Sequence, residues 1–307
     1  MNEARSATLP MPHGFGQPLL AAAWMSLAVL SFSAMAVAGR ELIGQLDPFS
    51  IMLCRSSIGL FIVAAILTAT GRIPVIRTRR PGAHLGRNLA HFSGQSLWFY
   101  AVGQTTLAQV FALEFTAPVW VALLAPVFLG ERFTGWRLAT TAAGFAGVLV
   151  VVRPGVIAVD TGEVAALAAA ICLSANIMMT KSLSRTEPTL CIMFWMTAIQ
   201  VVLGAVMVAI TAVVTGNGLP SLPDPAHLPW VLVVGVSGLL AQVGLARAFR
   251  HADASVAAPM DFLRLPLIAV VGMLAYGEHL DPYVFLGGAI VFLANYVNVW
   301  RSGRKAG

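Results

Sequence analysis

Charge is what this sequence lacks most. Asp, Glu, Lys and Arg make up 10% of 307 residues, against about 25% in an ordinary soluble domain. Apolar and aromatic residues make up 58%, and the mean hydropathy is +0.82. The 19 basic and 13 acidic residues cannot coat a chain of this size in water, so most of its outside faces lipid. That excludes a soluble enzyme. It also leaves no length for an aqueous domain, since at about 20 residues per crossing on the order of ten helices use up the chain. Cysteine is scarce too: Cys54, Cys172 and Cys191 lie in apolar stretches with no CxxC pair and no histidine at ligand spacing. Buried free thiols are expected, with no disulfide framework, metal or cofactor. No GKS or GKT phosphate loop is present, so nucleotide hydrolysis does not drive the protein.

What is present is a succession of apolar runs bounded by Pro, Gly or charge, at 18–39, 48–71, 86–103, 106–130, 135–152, 163–181, 188–214, 228–250, 254–277 and 282–300. These predict an all-α polytopic membrane protein with ten transmembrane helices. Residues 1–17 form a polar tail and 302–307 a basic one. The first run is too long for a signal-peptide core and is expected to be retained. A net charge of +6 would suggest nucleic acid in a soluble chain, but its distribution points elsewhere. With the N-terminus in the cytoplasm, all but four of the basic residues fall in cytoplasmic segments. Arg40 and Arg153 are outside, and Arg55 and Arg264 lie within spans. This positive-inside pattern predicts an even number of helices with both termini cytoplasmic.

The chain also repeats itself. Residues 107–134 align with 254–281 without a gap, so that Glu114 faces Asp261, Phe115 faces Phe262, and Gly130-Glu131 faces Gly277-Glu278. Fainter matches, such as Leu30-Ser31 with Leu173-Ser174, keep the same order. Two halves result, 18–155 and 156–301. Five helices per half is an odd number, so the second half enters the membrane inverted, the architecture of secondary transporters.

Phe115-Thr116-Ala117-Pro118-Val119-Trp120 running to Gly130-Glu131-Arg132, with Gly144-Phe145-Ala146-Gly147 and Arg153-Pro154-Gly155, resembles the first repeat of the drug/metabolite transporter superfamily, EamA type. Ala258-Pro259-Met260-Asp261-Phe262 through Leu265-Pro266 to Tyr276-Gly277-Glu278 resembles the second. The resemblance implies ten helices, a central cavity, and transport of a small metabolite without ATP across a bacterial cytoplasmic membrane. A narrower similarity, to bacterial aromatic amino-acid exporters of the YddG type, implies export of aromatic or apolar amino acids. The expected partners are that solute and the lipid bilayer, not nucleic acid, and the expected unit is a monomer.

Charges at membrane depth cost roughly 2.5–3.5 kcal/mol each on insertion scales. Four are expected there: Arg55, Glu114, Asp261 and Arg264. By helical rise they lie about 10–12 Å or more below the surface. Two readings stand: compensating pairs that lock helices together, or acids that hold an ammonium or proton while Arg264 attracts a carboxylate. On the third helix His84, Arg87, Asn88, His91, Gln95 and Trp98 share a face, expected to line a wet vestibule. On the fourth helix Gln109, Thr116 and Trp120 lie opposite Glu114 and Pro118. Trp98, Trp120 and Trp195 are placed near the midplane, where they could stack on a flat solute; Asn176 joins the cavity-lining candidates. Pro118, Pro259 and Pro266 interrupt their helices and mark candidate hinges.

Two rivals come from other classes. A channel needs a ring of like charges or a filter loop, and none is visible. A serine protease is suggested by Gly235-Val236-Ser237-Gly238, but His251 and His279 fall at helix ends, out of reach of Ser237. Small residues in such a run fit close helix packing.

Overall fold

A computed structural model describes residues 16–129, 135–153, 160–184, 186–216, 218, 220, 223–251 and 260–304. Among the described residues the regular elements are helices: α1 (Gly16–Leu42), α2 (Pro48–Ala69), α3 (Pro81–Gln104), α4 (Leu107–Glu114), α5 (Ala117–Leu129), α6 (Gly135–Val152), α7 (Thr161–Leu183), α8 (Thr189–Thr215), α9 (Leu228–His251), α10 (Arg264–Tyr276) and α11 (Pro282–Arg304), with short 3-10 turns at Ile73–Ile76 and Pro225–His227.

Local chemistry sets the helix ends. The Asp47 carboxylate accepts from the backbone N–H groups of Phe49 and Ser50, with Pro48 at the first helical position of α2, where its missing N–H costs nothing. Thr106 and Gln109 form a capping box at α4, and Asp160 with Glu163 does the same at α7. Gly277 closes α10 in the left-handed region at φ 64°, with the Glu278 N–H bonding back to the Gly272 carbonyl at 3.2 Å.

Among the described residues five helical segments are long and apolar enough to cross a membrane: Leu19–Leu42, Pro48–Ala69, Thr161–Leu183, Thr189–Thr215 and Pro225–Ala248. The rest of the expected set departs from a plain apolar span for identifiable reasons. α3 carries its polar stripe; the expected fourth span is split into α4 and α5; α6 and α10 are short apolar helices. The expected ninth span begins among residues outside the described set, which include Pro259; in its described part Met260 and Asp261 are helical, a turn follows at Phe262 and Leu263, and α10 runs from Arg264.

The main helix contacts are α1 with α9, α3 with α7, α6 with α11, and α2 with α8, with α10 meeting α4. In terms of the expected spans, these are first with eighth, third with sixth, fifth with tenth, second with seventh, and ninth with fourth. Exchanging the two halves converts the first pair into the second and leaves the other three unchanged. A pseudo-two-fold exchange therefore organises the packing. At α6 and α11 the contact is tight because glycine faces glycine: a Cβ on Gly147 would lie 2.8 Å from the Gly287 carbonyl oxygen, and one on Gly287 2.6 Å from that of Gly147. Gly235 and Gly238 likewise let α9 approach Ile58 and Arg55 of α2, which accounts for the small-residue run around Ser237 by packing. Side chains such as Phe61, Val213, Val214 and Leu274 point outward, as lipid-facing residues should.

Candidate functional site

The site is built where two helices break. Pro118 has no N–H to donate to the Glu114 carbonyl, so the helix stops at Glu114 and resumes at Ala117. Other groups take up the freed polarity. The Thr116 hydroxyl donates to the Leu113 carbonyl at 2.6 Å and accepts from Trp120 Nε1 at 3.0 Å, while Asn295 Nδ2 reaches the Phe115 carbonyl at 3.4 Å. In the other half the chain turns tightly through Met260–Leu265, with three-residue turn bonds from Leu263 to Met260 and from Leu265 to Phe262, and α10 starts at Arg264. Pro118 and Pro266 both face outward, away from the charges they expose.

Between these breaks lies Arg264, 4% exposed. Its Nη2 donates to Glu114 Oε1 at 3.1 Å and lies 3.6 Å from Asp261 Oδ2. The other Glu114 oxygen accepts from Trp98 Nε1 at 2.9 Å. The guanidinium carbon stands 4.4 Å from the Phe32 ring centroid and 5.0 Å from those of Phe111 and Phe115, within cation–π range. One cation of the second half thus serves two carboxylates, one from each half, inside an aromatic collar drawn from the first half. Its hydrogen-bonding capacity is not exhausted: Arg264 Nε, Arg264 Nη1 and Asp261 Oδ1 are buried without a protein partner. Such a centre can accept a solute bearing donor and acceptor groups on an aromatic or apolar body.

The expectation of two compensating pairs is corrected by this arrangement. Glu114 and Asp261 converge on Arg264, and Arg55 joins no ion pair among the described residues. It is 5% exposed and lines a cavity of about 10 Å³, room for one water, with Ser56, Thr197, Gln200 and Gly238. Depth from the sequence cannot tell which helices abut, and α2 abuts α8 and α9 rather than α4.

The vestibule expected along α3 is also corrected. His84, Arg87, Asn88, His91, Gln95 and Trp98 are 0–6% exposed and form a packed polar seam. Arg87 Nε donates to the Thr180 hydroxyl at 2.6 Å; Asn88 Nδ2 lies 3.4 Å from the Trp195 carbonyl; His91 Nδ1 is 2.8 Å from Gln200 Nε2. Polar side chains within a bundle satisfy one another where they can. A cavity of about 250 Å³ instead lies on another face of α3, lined by Arg80, Gly82, Ala83, Gly86, Met178, Met179 and Ser182. Of the three candidate tryptophans, all described, Trp98 alone touches the charged centre. The Trp120 ring meets Phe145 at 5.1 Å. Trp195 bonds through Nε1 to the Ile76 carbonyl at 2.9 Å and faces His84. Asn176 is buried, with its carbonyl groups accepting from Thr180.

Sequence reasoning missed three features. Gln200, an amide in the apolar run of α8, ties Ser56 of α2 to the α3 seam; its isolation in that run was the available signal. The aromatic collar had no signal beyond ordinary apolar periodicity. The third feature is a polar lattice at the Arg40 end of the bundle. Arg40 bonds Glu278 at 3.0 Å and the Thr105 carbonyl; Glu278 Oε2 accepts from the Leu107 N–H at 2.9 Å; the Tyr276 hydroxyl donates to Glu41 at 2.8 Å. Arg153 pairs with Asp281. Glu278 was visible as a repeat marker, but its partners were not.

The EamA-like transporter family model matches residues 19–153 and again residues 160–300. The chain belongs to the EamA-like transporter family, and carries its repeat twice. Among its relatives is a riboflavin transporter of Rhizobium johnstonii, 29% identical over 99% of this chain and 98% of that one. An S-adenosylmethionine uptake transporter of Rickettsia bellii is 23% identical over 92% of this chain and 94% of its own. A pseudopaline exporter of Pseudomonas aeruginosa is 27% identical, with 87% and 92% covered. A solved crystal structure shares the fold with a TM-score of 0.62 at 19% identity, covering 94% of this chain and 99% of that one. This EamA-like chain is thus a transporter-family, multi-pass membrane protein with relatives that move solutes inward and outward.

Proposed function

We propose that this protein is a secondary transporter that carries a flat aromatic metabolite by alternating access of its two halves, ten spans in all, with both termini cytoplasmic. The observation that carries the reading is the Arg264–Glu114–Asp261 centre inside its aromatic collar, with two donors and one acceptor still open. A planar ring system with polar edges matches that lining: the ring meets Phe32, Phe111 and Phe115, and its edge groups meet Arg264 and Asp261. Riboflavin, carried by a relative, is the first solute to test. The two-fold packing exchange supports rocking of one half against the other, and the positive-inside count supports the orientation.

Export of aromatic or apolar amino acids is the second reading. It is favoured by the presence of a cation and a spare carboxylate oxygen side by side, a match for a zwitterion. Like the first, it requires no catalysis, a cytoplasmic membrane location and a single chain as the working unit. The test is flux into proteoliposomes containing the purified protein, with riboflavin, S-adenosylmethionine, tryptophan, phenylalanine and threonine as solutes. Saturable flux of flavin, stimulated by flavin on the far side, is expected. Movement of tryptophan and phenylalanine without flavin selects the second reading. Linear, conductive flux, or movement of threonine alone, sinks both.

A further inference from the structure

Where α3 begins and α8 begins, three side chains with metal-ligand chemistry come together although they are far apart in the sequence. His84 stands in the first turns of α3, Glu187 in the linker before Pro188, and Cys191 in the first turn of α8. One ligand atom from each lies within 4.8 Å of the others, and Cys191 Sγ is 3.5 Å from Glu187 Oε2. His84 and Cys191 are both 0% exposed. The decisive observation is His84: both of its ring nitrogens are buried with no hydrogen-bond partner. A buried imidazole with nothing to bond on either side is costly unless something else occupies one nitrogen.

From this geometry we infer that His84, Glu187 and Cys191 form a binding site for a divalent transition-metal ion, zinc by ligand chemistry, that bridges the two halves of the protein. Imidazole nitrogen, thiolate sulfur and carboxylate oxygen are the ligand types zinc takes, at about 2.0–2.3 Å each. Tetrahedral angles then separate the ligand atoms by roughly 3.3–3.8 Å, so the observed trio needs only a small contraction. On binding, the Cys191 S–H bond breaks, its proton leaves to solvent, and the thiolate bonds the metal. Neutral His84, one thiolate and one carboxylate balance the +2 charge, which leaves no net charge to bury. The Thr78 hydroxyl donates to Glu187 Oε1 at 2.7 Å, orienting the carboxylate and holding its carboxyl below the usual range. Among the described residues the two arginines that act on His84 bond to other groups: Arg87 to Thr180, and Arg80 to the Ser182 carbonyl and the Thr186 hydroxyl. The sequence-based expectation of no metal rested on linear spacing, and the juxtaposition of α3 with the α7–α8 linker removes that ground.

His84 belongs to the first repeat, and Glu187 and Cys191 to the second. A bound ion would therefore hold the halves in one relative position and slow alternating access. That consequence rests on the transport reading above; metal binding itself does not. The test is titration of the purified full-length protein in detergent with Co²⁺, read by its thiolate-to-metal charge-transfer absorption, followed by displacement with Zn²⁺. One equivalent is expected to saturate the band, and Zn²⁺ to abolish it. Cys191→Ser should remove the band, His84→Gln should weaken binding at least tenfold, and a Cys54→Ser/Cys172→Ser double variant should keep both band and affinity. Absence of the band in the unaltered protein, its persistence in Cys191→Ser, or its loss from the double variant overturns the site. In proteoliposomes Zn²⁺ should slow flux severalfold in the unaltered protein and leave Cys191→Ser unaffected. Full metal binding with undiminished flux would overturn the bridge, and full binding with no flux of any solute would count against the transport reading alone.

Discussion

Glu114 and Asp261 occupy the same position in the two repeats, beside the same helix break, and reach the same arginine, yet they are held very differently. Glu114 accepts from Arg264 on one oxygen and from Trp98 on the other. Asp261 has a looser contact to Arg264 at 3.6 Å, and its second oxygen has no partner. The side chains are 17% and 22% exposed, so burial does not account for the difference; the partners do. Equivalent positions have thus diverged into an anchor and an open ligand. On the transport reading proposed above, a centre shared by two moving halves needs one fixed point to persist and one unsatisfied group for a solute to satisfy.

Arg264→Gln should have the largest effect on this asymmetry, because it strips both acids of their cation at once. Leaving a buried charge uncompensated costs about 3–5 kcal/mol. A marked fall in thermal unfolding temperature in detergent, with loss of flux, is expected; normal stability would mean that the cluster does not hold α4 to α10. Glu114→Gln comes next. It keeps the shape but loses the charge-assisted bonds to Arg264 and Trp98, and bonds to charged groups contribute about 1.5–3 kcal/mol. Its destabilisation should be reproduced in part by Trp98→Phe, and the two should combine less than additively, since they share a partner. Full additivity would show that Trp98 stabilises the bundle by packing rather than through Glu114.

Much of this centre could be read from the sequence, and its limits are physical. The 147-residue offset placed Glu114 opposite Asp261 because the repeat preserves position along the helix. The helix breaks followed from Pro118 and Pro266. Contact between helices did not follow. A periodic pattern says which face of a helix is buried, but not against what, so Arg55 seemed to balance an acid when it faces Gly238 and a cavity. The α3 stripe was correctly kept from lipid yet wrongly opened to water, since the acceptors that satisfy it, Thr180, Gln200 and the Trp195 carbonyl, come from α7 and α8. Glu278 shows the same limit: the Gly-Glu ending was legible as a repeat mark, but its bond to the start of α4 depends on the fold.

Asp261→Asn should have the smallest effect on stability and is the sharpest test of the contrast. The substitution removes a contact that at 3.6 Å is longer than a hydrogen bond, so none of the bonds of the Glu114 anchor is lost. The amide can still accept from Arg264, and Glu114 keeps the arginine in place. Unfolding should therefore shift little. Flux should respond differently: if the free Asp261 oxygen binds solute, replacing the carboxylate by an amide weakens a charge-assisted hydrogen bond, and a loss of about 1.4 kcal/mol is already tenfold. The expected outcome is a protein as stable as the unaltered one with a KM raised about tenfold and a maximal rate changed much less. A variant that loses stability as Glu114→Gln does, with an unchanged KM, would make the two acids equivalent anchors and move the solute-binding role elsewhere in the aromatic collar.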